Sequence, residues 1–340
     1  MISLSKIAQS CGVSVITVSR ALDPQKAVKV KPETRKKILE VCARENFYPS
    51  FSARCLASGK TRTIGFIIPG MSMISKSTQT AIYLEEMNRR IEENGYNLVL
   101  LPVNGSDWET IRRNAEQLIL SNRCDGYLTA AFTVSLPSDR PVTVLQTTSS
   151  EAITESDFPV IKINSDKAMQ DIIAHLAGSG YRKTAFIQLG NAKQLREEIW
   201  KKNFSRARCM SNMVLLQLAA DPLPYPCDPN MQKIMLEHFE EMLQYDAWIF
   251  NNDWHAILAK NLLEQKNIEP GKNIALVGFD NVEKTGSNPE ITTIMPPLIE
   301  FGKAAADLIL ERINHPEKDF RNTRVELESR AIFRKSTQRI

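Results

Sequence analysis

The stretch "GVSVITVSRAL", Gly12 to Leu22, decides the reading of the N-terminal region. Ser14 suits a helix N-cap, because its hydroxyl can accept from the free N–H groups of the first turn. Val18, Ala21 and Leu22 then fall at i, i+3 and i+4 and share one apolar stripe. Ile16 lies two residues before Val18, about 200° away around the axis at roughly 100° per residue. It shares that flank with Arg20. Two readings stand for the apolar residues outside the stripe: Val15 and Ile16 complete a helical core, or they face a surface that the helix reads.

The flanking residues supply the partners of that helix. "ISLSKIAQSC" predicts a helix capped by Ser3, with Leu4, Ile7, Ala8 and Cys11 on one side. Gly12 supplies the turn and Val13 fills the angle between the two helices. Helix, glycine-containing turn and second helix form the helix-turn-helix pattern. After the loop "DPQKAVKVK", Pro32 suits the first position of a third helix. That helix is expected to bury Ile38, Leu39, Val41 and Cys42 and to display Arg35, Lys36 and Lys37. Further on, "FYPSFSARCLASGKTR" (47–62) predicts a short helix capped by Ser50, with Ala53, Leu56 and Ala57 on one face. So short a helix needs a partner to form.

Charge separates this region from the rest. Residues 1–62 hold 12 Lys and Arg against 4 Asp and Glu, a surplus of +8 within a chain whose net charge is +4. The remainder is therefore at −4. A small basic block on an acidic body is the electrostatic footprint of a DNA-binding head. If the second helix enters a major groove, Ile16, with Val15 at the margin, packs on thymine methyls and Arg20 makes a bidentate contact to guanine. Ser3, Ser19, Lys29, Lys31 and Thr34 are placed to hold phosphates. Leu56 is placed to wedge between base steps from the minor groove.

The head resembles the lactose/purine-repressor (LacI/GalR) family of bacterial transcription regulators. The residues that carry the likeness are "IAQSCGVSVITVSRAL", "VKPETRKKILEVCARENFYPS" and "ARCLASGKTRTIGFIIP". The resemblance implies base contacts from Val15, Ile16 and Arg20, with Ser14 and Thr17 in the same DNA-facing set. It also implies a hinge helix, with Ser50, Ala53, Arg54 and Leu56 at the operator centre, whose leucine pairs with that of a dimer mate. Two positions depart from the family pattern: Ser50 replaces the usual Asn after the hinge proline, and Lys31 replaces the usual Ser capping the third helix.

Residues 63–340 alternate β-rich runs, such as "TIGFIIP", "NLVLLPV", "KTAFIQL" and "NIALVGF", with amphipathic helices. Apolar strands alternating with helices predict parallel sheets covered on both faces. The fold class expected is α/β: a three-helix head and hinge helix, then a two-lobed core of doubly wound sheets similar to periplasmic sugar-binding proteins. The expected domains are 1–46 (head), 47–62 (hinge and linker) and 63–340 (effector-binding and dimerisation core). Lobe 1 is expected at about 63–162 and 293–322, and lobe 2 at about 163–292 and 323–340.

Ligand groups in such sheets sit at the strand ends facing the cleft. Asn252 and Asp253 end "AWIFNND", Asp280 ends "NIALVGFD", and Asn164 and Asp166 follow "VIKI". Arg196 matches the family's effector-contacting arginine. Each also has a structural reading: a turn or cap for Asn252, Asp280, Asn164 and Asp166, and a surface ion pair for Arg196. The family's aromatic near position 222 is missing, and Tyr225 or Trp254 is a replacement.

No Ser/His/Asp set, Walker loop or paired-carboxylate motif occurs, and neither cysteines nor histidines take metal-site spacing. The six cysteines read as reduced thiols. The expectation is therefore a non-enzymatic regulator with neither cofactor nor metal. No secretory signal or membrane-length apolar run is present, so the protein is expected in the cytoplasm, away from membranes. Its expected partners are double-stranded operator DNA, a small-molecule effector (by resemblance a sugar or sugar acid) and a second copy in a homodimer. The alternative is a solute-binding protein of transport or chemotaxis, which shares the core fold.

Overall fold

Ser3 and Ser14 start the first two helices in the computed structural model. Ser3 accepts from the Lys6 N–H at 3.4 Å to open α1 (Leu4–Cys11). Ser14 accepts from the Thr17 N–H at 3.1 Å to open α2 (Val15–Leu22). Gly12 lies between them at φ 70, a left-handed C-cap that only glycine takes without steric cost. The third helix, α3 (Pro32–Arg44), has Pro32 at its first position. The structure describes residues 3–23, 27–48, 55, 59–71, 74, 78–130, 132–134, 140–147, 153, 156–188, 195–206, 212–218, 229–282 and 290–338.

The chain divides into two compact units, Met1–Arg62 and Thr63–Ile340. In the first, one cluster of Ile7, Ala8, Cys11, Val18, Ala21, Val30, Ile38, Val41 and Cys42 forms the core, with Val13 and Leu22 packed against it. Leu39 does not join it. It stays 41% exposed, which corrects the expectation of burial. Ile38, Val41 and Cys42 already fill the side of α3 facing the other helices, and Leu39 lies about 100° around the axis from Ile38.

The second unit holds two six-stranded sheets. The first contains β1 (Thr63–Pro69), β2 (Asn97–Val103), β3 (Gly126–Ala130), β4 (Val142–Gln146), β5 (Val160–Asn164) and β11 (Arg324–Glu328). Their spatial order is β11-β5-β4-β3-β1-β2, all parallel. The second sheet contains β6 (Lys183–Gln188), β7 (Asn212–Gln217), β8 (Ala247–Phe250), β9 (Ala275–Phe279), β10 (Thr292–Met295) and β12 (Arg330–Ile332). Its order is β12-β10-β9-β8-β6-β7, with β12 antiparallel. Strands β3, β4, β8 and β9 are buried along their whole length, as strands covered on both faces must be.

Helices α4 (Thr78–Glu93), α5 (Trp108–Leu120) and α11 (Leu298–Asn314) belong to the first lobe. Helices α6 (Asp166–Gly178), α7 (Leu195–Arg206), α8 (Pro229–Glu237), α9 (Phe239–Met242) and α10 (Asp253–Gln265) belong to the second. Helix α4 approaches α11 so closely that a Cβ at Gly302 would come within 2.4 Å of the Tyr83 carbonyl oxygen.

The chain passes between lobes after β5, after β10 and after β11, each time at the C-terminal end of a parallel strand. The passages therefore lie at 164–166, 295–298 and 328–330, beside the boundaries expected at about 162/163, 292/293 and 322/323. Strand β10 pairs with β9 in lobe 2, and β11 pairs with β5 in lobe 1. Each of these strands completes its hydrogen-bonded ladder before the chain leaves. Two passages are stitched together: the Ser165 and Ser329 hydroxyls lie 2.7 Å apart, and the Ser329 N–H donates to the Asn164 carbonyl at 2.8 Å.

Asp253, at the first position of α10, is fully buried. Its carboxylate accepts from the Thr293 hydroxyl at 2.7 Å and from the Val282 N–H at 2.8 Å. It sits over Gly278, where a Cβ would come within 2.1 Å of the Asp253 Oδ1. Next to it, burial pushes the His255 imidazole down to about 3, so the ring is neutral in the folded lobe. Two outcomes follow. Asp253→Ala strands two buried donors and is expected to cost about 2–5 kcal/mol, measured by urea unfolding followed at the buried Trp248. For His255, the unfolded ring takes up a proton below its ordinary value of 6.5 while the folded ring does not. Stability therefore falls as pH drops from 6.5 towards 5, by at most about 1.4 kcal/mol per pH unit from this group. His255→Gln is expected to flatten that slope, read from urea midpoints across the same window.

Candidate DNA-reading face and effector site

On α2, Val18 and Ala21 are buried, Val15 is 42% exposed and Ile16 is 63% exposed. The head core closes without Ile16. Ser19 and Arg20 are exposed on the same helix. Arg20 makes no hydrogen bond or ion pair among the described residues, so its guanidinium fork is available. Ser14 and Thr17 bond each other, with their hydroxyls 2.9 Å apart at the start of the helix. Lys29 and Lys31 are exposed, and Thr34 is half-buried on the first turn of α3. Lys31 occupies the N-cap of α3 and makes no side-chain capping bond there.

Two basic residues of α3 have a second role that sequence reading missed. Lys37 Nζ donates to the Cys11 carbonyl at 3.0 Å, and Arg35 Nε donates to the Ala21 carbonyl at 3.3 Å. Both carbonyls lie in the last turns of α1 and α2, where unpaired acceptors and the helix dipole favour a cation. The positive charge of α3 thus also fixes the angle of the two-helix motif. Of the linker, Cys55 is helical and Gly59, at φ 67, donates its N–H to the Cys55 carbonyl at 2.8 Å. Ser50, Ala53, Arg54 and Leu56 lie outside the described residues, as does Tyr225.

In the core, Asn252, Asp253 and Asp280 follow strands of the second sheet, whereas Asn164 and Asp166 lie at the first lobe passage. Asn252 follows β8 by two residues and Asp280 follows β9 by one, and the two strands pair side by side. Arg196, on the first turn of α7, bonds both oxygens of Asp280 and the Asn251 carbonyl, and its guanidinium lies 4.8 Å above the Phe279 ring. It is only 3% exposed. This is not a surface ion pair: a buried bidentate fork holds Asp280 in place. Asp280 itself has φ 101, and the following Asn281 has φ 54. A non-glycine residue held in that region carries about 1–3 kcal/mol of strain and marks a site whose surroundings dictate it.

Asn252 caps α10: its Oδ1 accepts from the His255 N–H at 3.0 Å. Asp253 is withdrawn from the ligand set, because it is buried and its oxygens are engaged by Thr293 and Val282. Asn164 and Asp166 lie at the first lobe passage. Asn164 Oδ1 accepts from the Asp166 N–H at 2.9 Å, and its Nδ2 donates to Glu328 at 3.1 Å. Asp166 is drawn towards α7, accepting from Asn203 at 2.9 Å and pairing with Lys202. The structure thus joins Arg196 to Asp280, sets Asn252 just beyond the neighbouring strand β8 as a helix cap, and leaves Asn164 and Asp166 at the passage. Among the described residues no group of three His, Cys, Asp or Glu side chains is placed to hold a metal, and no helix is long and apolar enough to cross a membrane.

Comparison with known proteins agrees with both units. Residues 3–50 match the model of bacterial regulatory proteins of the lacI family, and residues 173–337 match a periplasmic binding protein-like domain. Catabolite control protein A of Priestia megaterium is 26% identical, over 99% of this chain and 99% of its own. The lac repressor dimer bound to operator and the anti-inducer ONPF shares the fold with a TM-score of 0.77, at 20% identity over 99% of each chain. A LacI family transcriptional regulator from Enterococcus faecium with bound ribose shares it with a TM-score of 0.61, at 19% identity over 82% of this chain and 99% of its own. This chain thus joins a head of the lacI family type to a periplasmic-binding-protein-like core, and a relative matches it along its full length.

Proposed function

We propose that the chain is a ligand-responsive transcription regulator that represses by binding a near-palindromic operator as a homodimer. The observation that carries this reading is the exposed flank of Ile16 and Arg20 on a firmly capped helix in a basic head. An apolar side chain for thymine methyls and a free guanidinium fork for guanine are the chemical requirements of major-groove readout. The domains expected at 1–46, 47–62 and 63–340 are the functional division of labour: reading, hinge and sensing.

The effector site is the lobe-2 edge that presents Asp280 and Asn252, with Arg196 holding Asp280 from behind. A carboxylate already neutralised by a buried arginine and an amide favour a neutral polyhydroxylated molecule, such as a sugar. The ribose in the Enterococcus fold-mate supports that class. Binding shifts the lobe equilibrium, and through it DNA affinity, only by the ligand's differential affinity for the two states. The protein acts in the cytoplasm and catalyses no reaction. The head's charge and exposed reading flank set it apart from a transport or chemotaxis binding protein.

Selection of bound sites from random duplexes, with and without neutral sugars, tests the whole reading. A two-fold-related consensus is expected, and equal retention of all sequences would refute it. Arg20→Ala is expected to lose about 1–3 kcal/mol at the selected site and to relax preference at one base pair per half-site. Equal loss on every duplex would make Arg20 a phosphate clamp. Asp280→Asn is expected to weaken the effector's influence on DNA binding about tenfold or more while effector-free affinity stays within twofold, both read by fluorescence anisotropy of labelled operator.

A further inference from the structure

A polar cavity lies at the base of lobe 2, away from the strand ends that carry Asp280 and Asn252. It encloses about 300 Å³, and five of its lining residues are charged: Lys260, Glu264, Glu269, Glu290 and Lys335. That volume suits a small ligand, at the lower end of the roughly 300–1,000 Å³ typical of ligand pockets. Lys260 and Glu264 stand on the last turns of α10, whereas Asn252 caps its start. At a rise of about 1.5 Å per residue, they lie roughly 12 and 18 Å along the axis from that cap. The wall is fixed by the C-terminal turn. Ser336 is buried, donates its hydroxyl to the Leu276 carbonyl at 2.6 Å and accepts from the Thr292 N–H at 2.8 Å. Its own N–H donates to the Glu290 carbonyl at 2.9 Å. A Cβ at Gly271 would come within 2.2 Å of the Lys335 carbonyl oxygen, so the turn is seated directly on the loop after α10. Binding here would spend little on ordering the wall.

Four of the charged side chains form an alternating chain. Glu264 Oε1 lies 3.4 Å from Lys260 Nζ, Lys260 Nζ lies 2.7 Å from Glu290 Oε2, and Glu290 Oε1 lies 3.7 Å from Lys335 Nζ. The inner pair, Lys260 and Glu290, is engaged on both sides and only 21% and 22% exposed. The ends differ. Among the described residues Glu264 and Lys335 each have one ion-pair partner, farther away than the inner pair's separation, and they are 50% and 55% exposed. An ammonium has three donors and a carboxylate accepts at about four positions. One end of the chain therefore retains negative capacity and the other positive. We infer that this cavity binds a small amino acid as its zwitterion, Glu264 holding the ammonium group and Lys335 the carboxylate, with Ile268 and Pro270 lining the cavity beside its carbon chain. A zwitterion extends the alternation at both ends without adding net charge. An anion would meet three glutamates, a diamine would meet two lysines, and a neutral sugar would leave both ends without an ionic partner. The C-terminal end of α10, where the helix dipole is negative, adds to the preference for an ammonium beside Glu264. The three glutamates do not form a metal-holding group among the described residues. The inference is independent of the effector reading above.

The test is isothermal titration calorimetry on the full chain with glycine, L-leucine and 4-aminobutyrate, set against acetate, putrescine and D-glucose. At least one of the amino acids is expected to bind at one site per chain with a Kd of about 1 mM or tighter, and acetate and putrescine at least tenfold more weakly. Glu264→Gln and Lys335→Gln are each expected to weaken that binding about tenfold or more with the ligand-free melting temperature unchanged, since both side chains are half exposed. Lys335→Arg, which keeps the charge, is expected to stay within about threefold of wild type. Asp280→Asn is expected to bind the amino acid as wild type does, which separates this cavity from the effector edge. The inference is overturned if none of the three amino acids binds, or if acetate or putrescine binds as tightly as they do. It is equally overturned if Asp280→Asn abolishes binding while Glu264→Gln and Lys335→Gln leave it intact. A lower ligand-free melting temperature in both glutamine variants would assign the charge chain to the fold and sink it too. None of these results bears on the neutral ligand proposed for the effector edge.

Discussion

All three passages between the lobes leave from the C-terminal ends of parallel strands, and the rest of the core depends on that constraint. A parallel strand buried on both faces cannot be entered or left in mid-ladder, because its N–H and C=O groups must be paired before the chain departs. Strands β5, β10 and β11 therefore run to completion at Asn164, Met295 and Glu328 before the chain changes sheet. The same rule places Asn251, Asn252 and Asp280 on the edge where the lobes are joined. Ser165 and Ser329 bind two passages to each other through short side chains and one backbone bond.

Within lobe 2 the polar groups divide by depth. Asp253 lies beneath the edge, where it ties α10 to β10 and to the chain after β9. Arg196 lies at the next level, stacked on Phe279 and clasping Asp280. Asp280 and Asn252, both half-buried, lie outermost of these groups. Each level fixes the one above it. The strained backbone of Asp280 is affordable because a buried guanidinium and the bond from its own N–H to the Ile294 carbonyl hold it in that conformation. The head solves a similar problem with fewer parts. Its core cluster holds nine buried side chains among the described residues, and the cations of α3 reinforce it by capping the ends of α1 and α2. Arg20, Lys29 and Lys31 remain exposed outside this motif.

Much of this was legible before any coordinates. The three head helices, their serine caps and the glycine turn are local features, governed by interactions within a few residues. For Ile16 two readings stood, core or outward face, and its offset of about 200° from Val18 favoured the outward one that the structure shows. Strand and helix alternation implied parallel sheets for the same reason: apolar runs and amphipathic periods report burial directly. The sequence by itself thus determined the class of each unit, the helix starts, the basic head and the types of residue at the strand ends.

Tertiary structure alone decided which of those residues are partners and which are scaffolding. Asp253 and Asp280 are both carboxylates at strand ends, yet one is buried under Gly278 and the other stands at the edge in the grip of Arg196. Asn251 and Asn252 are adjacent and identical in chemistry, but one caps a helix and the other leaves its amide oxygen unpaired. Leu39 looked like a core residue and is not. Each of these outcomes depends on contacts between segments far apart in the chain, such as Arg196 with Asp280 or Asp253 with Thr293. A periodic pattern reports how much a residue is buried, and does not report what it is buried against.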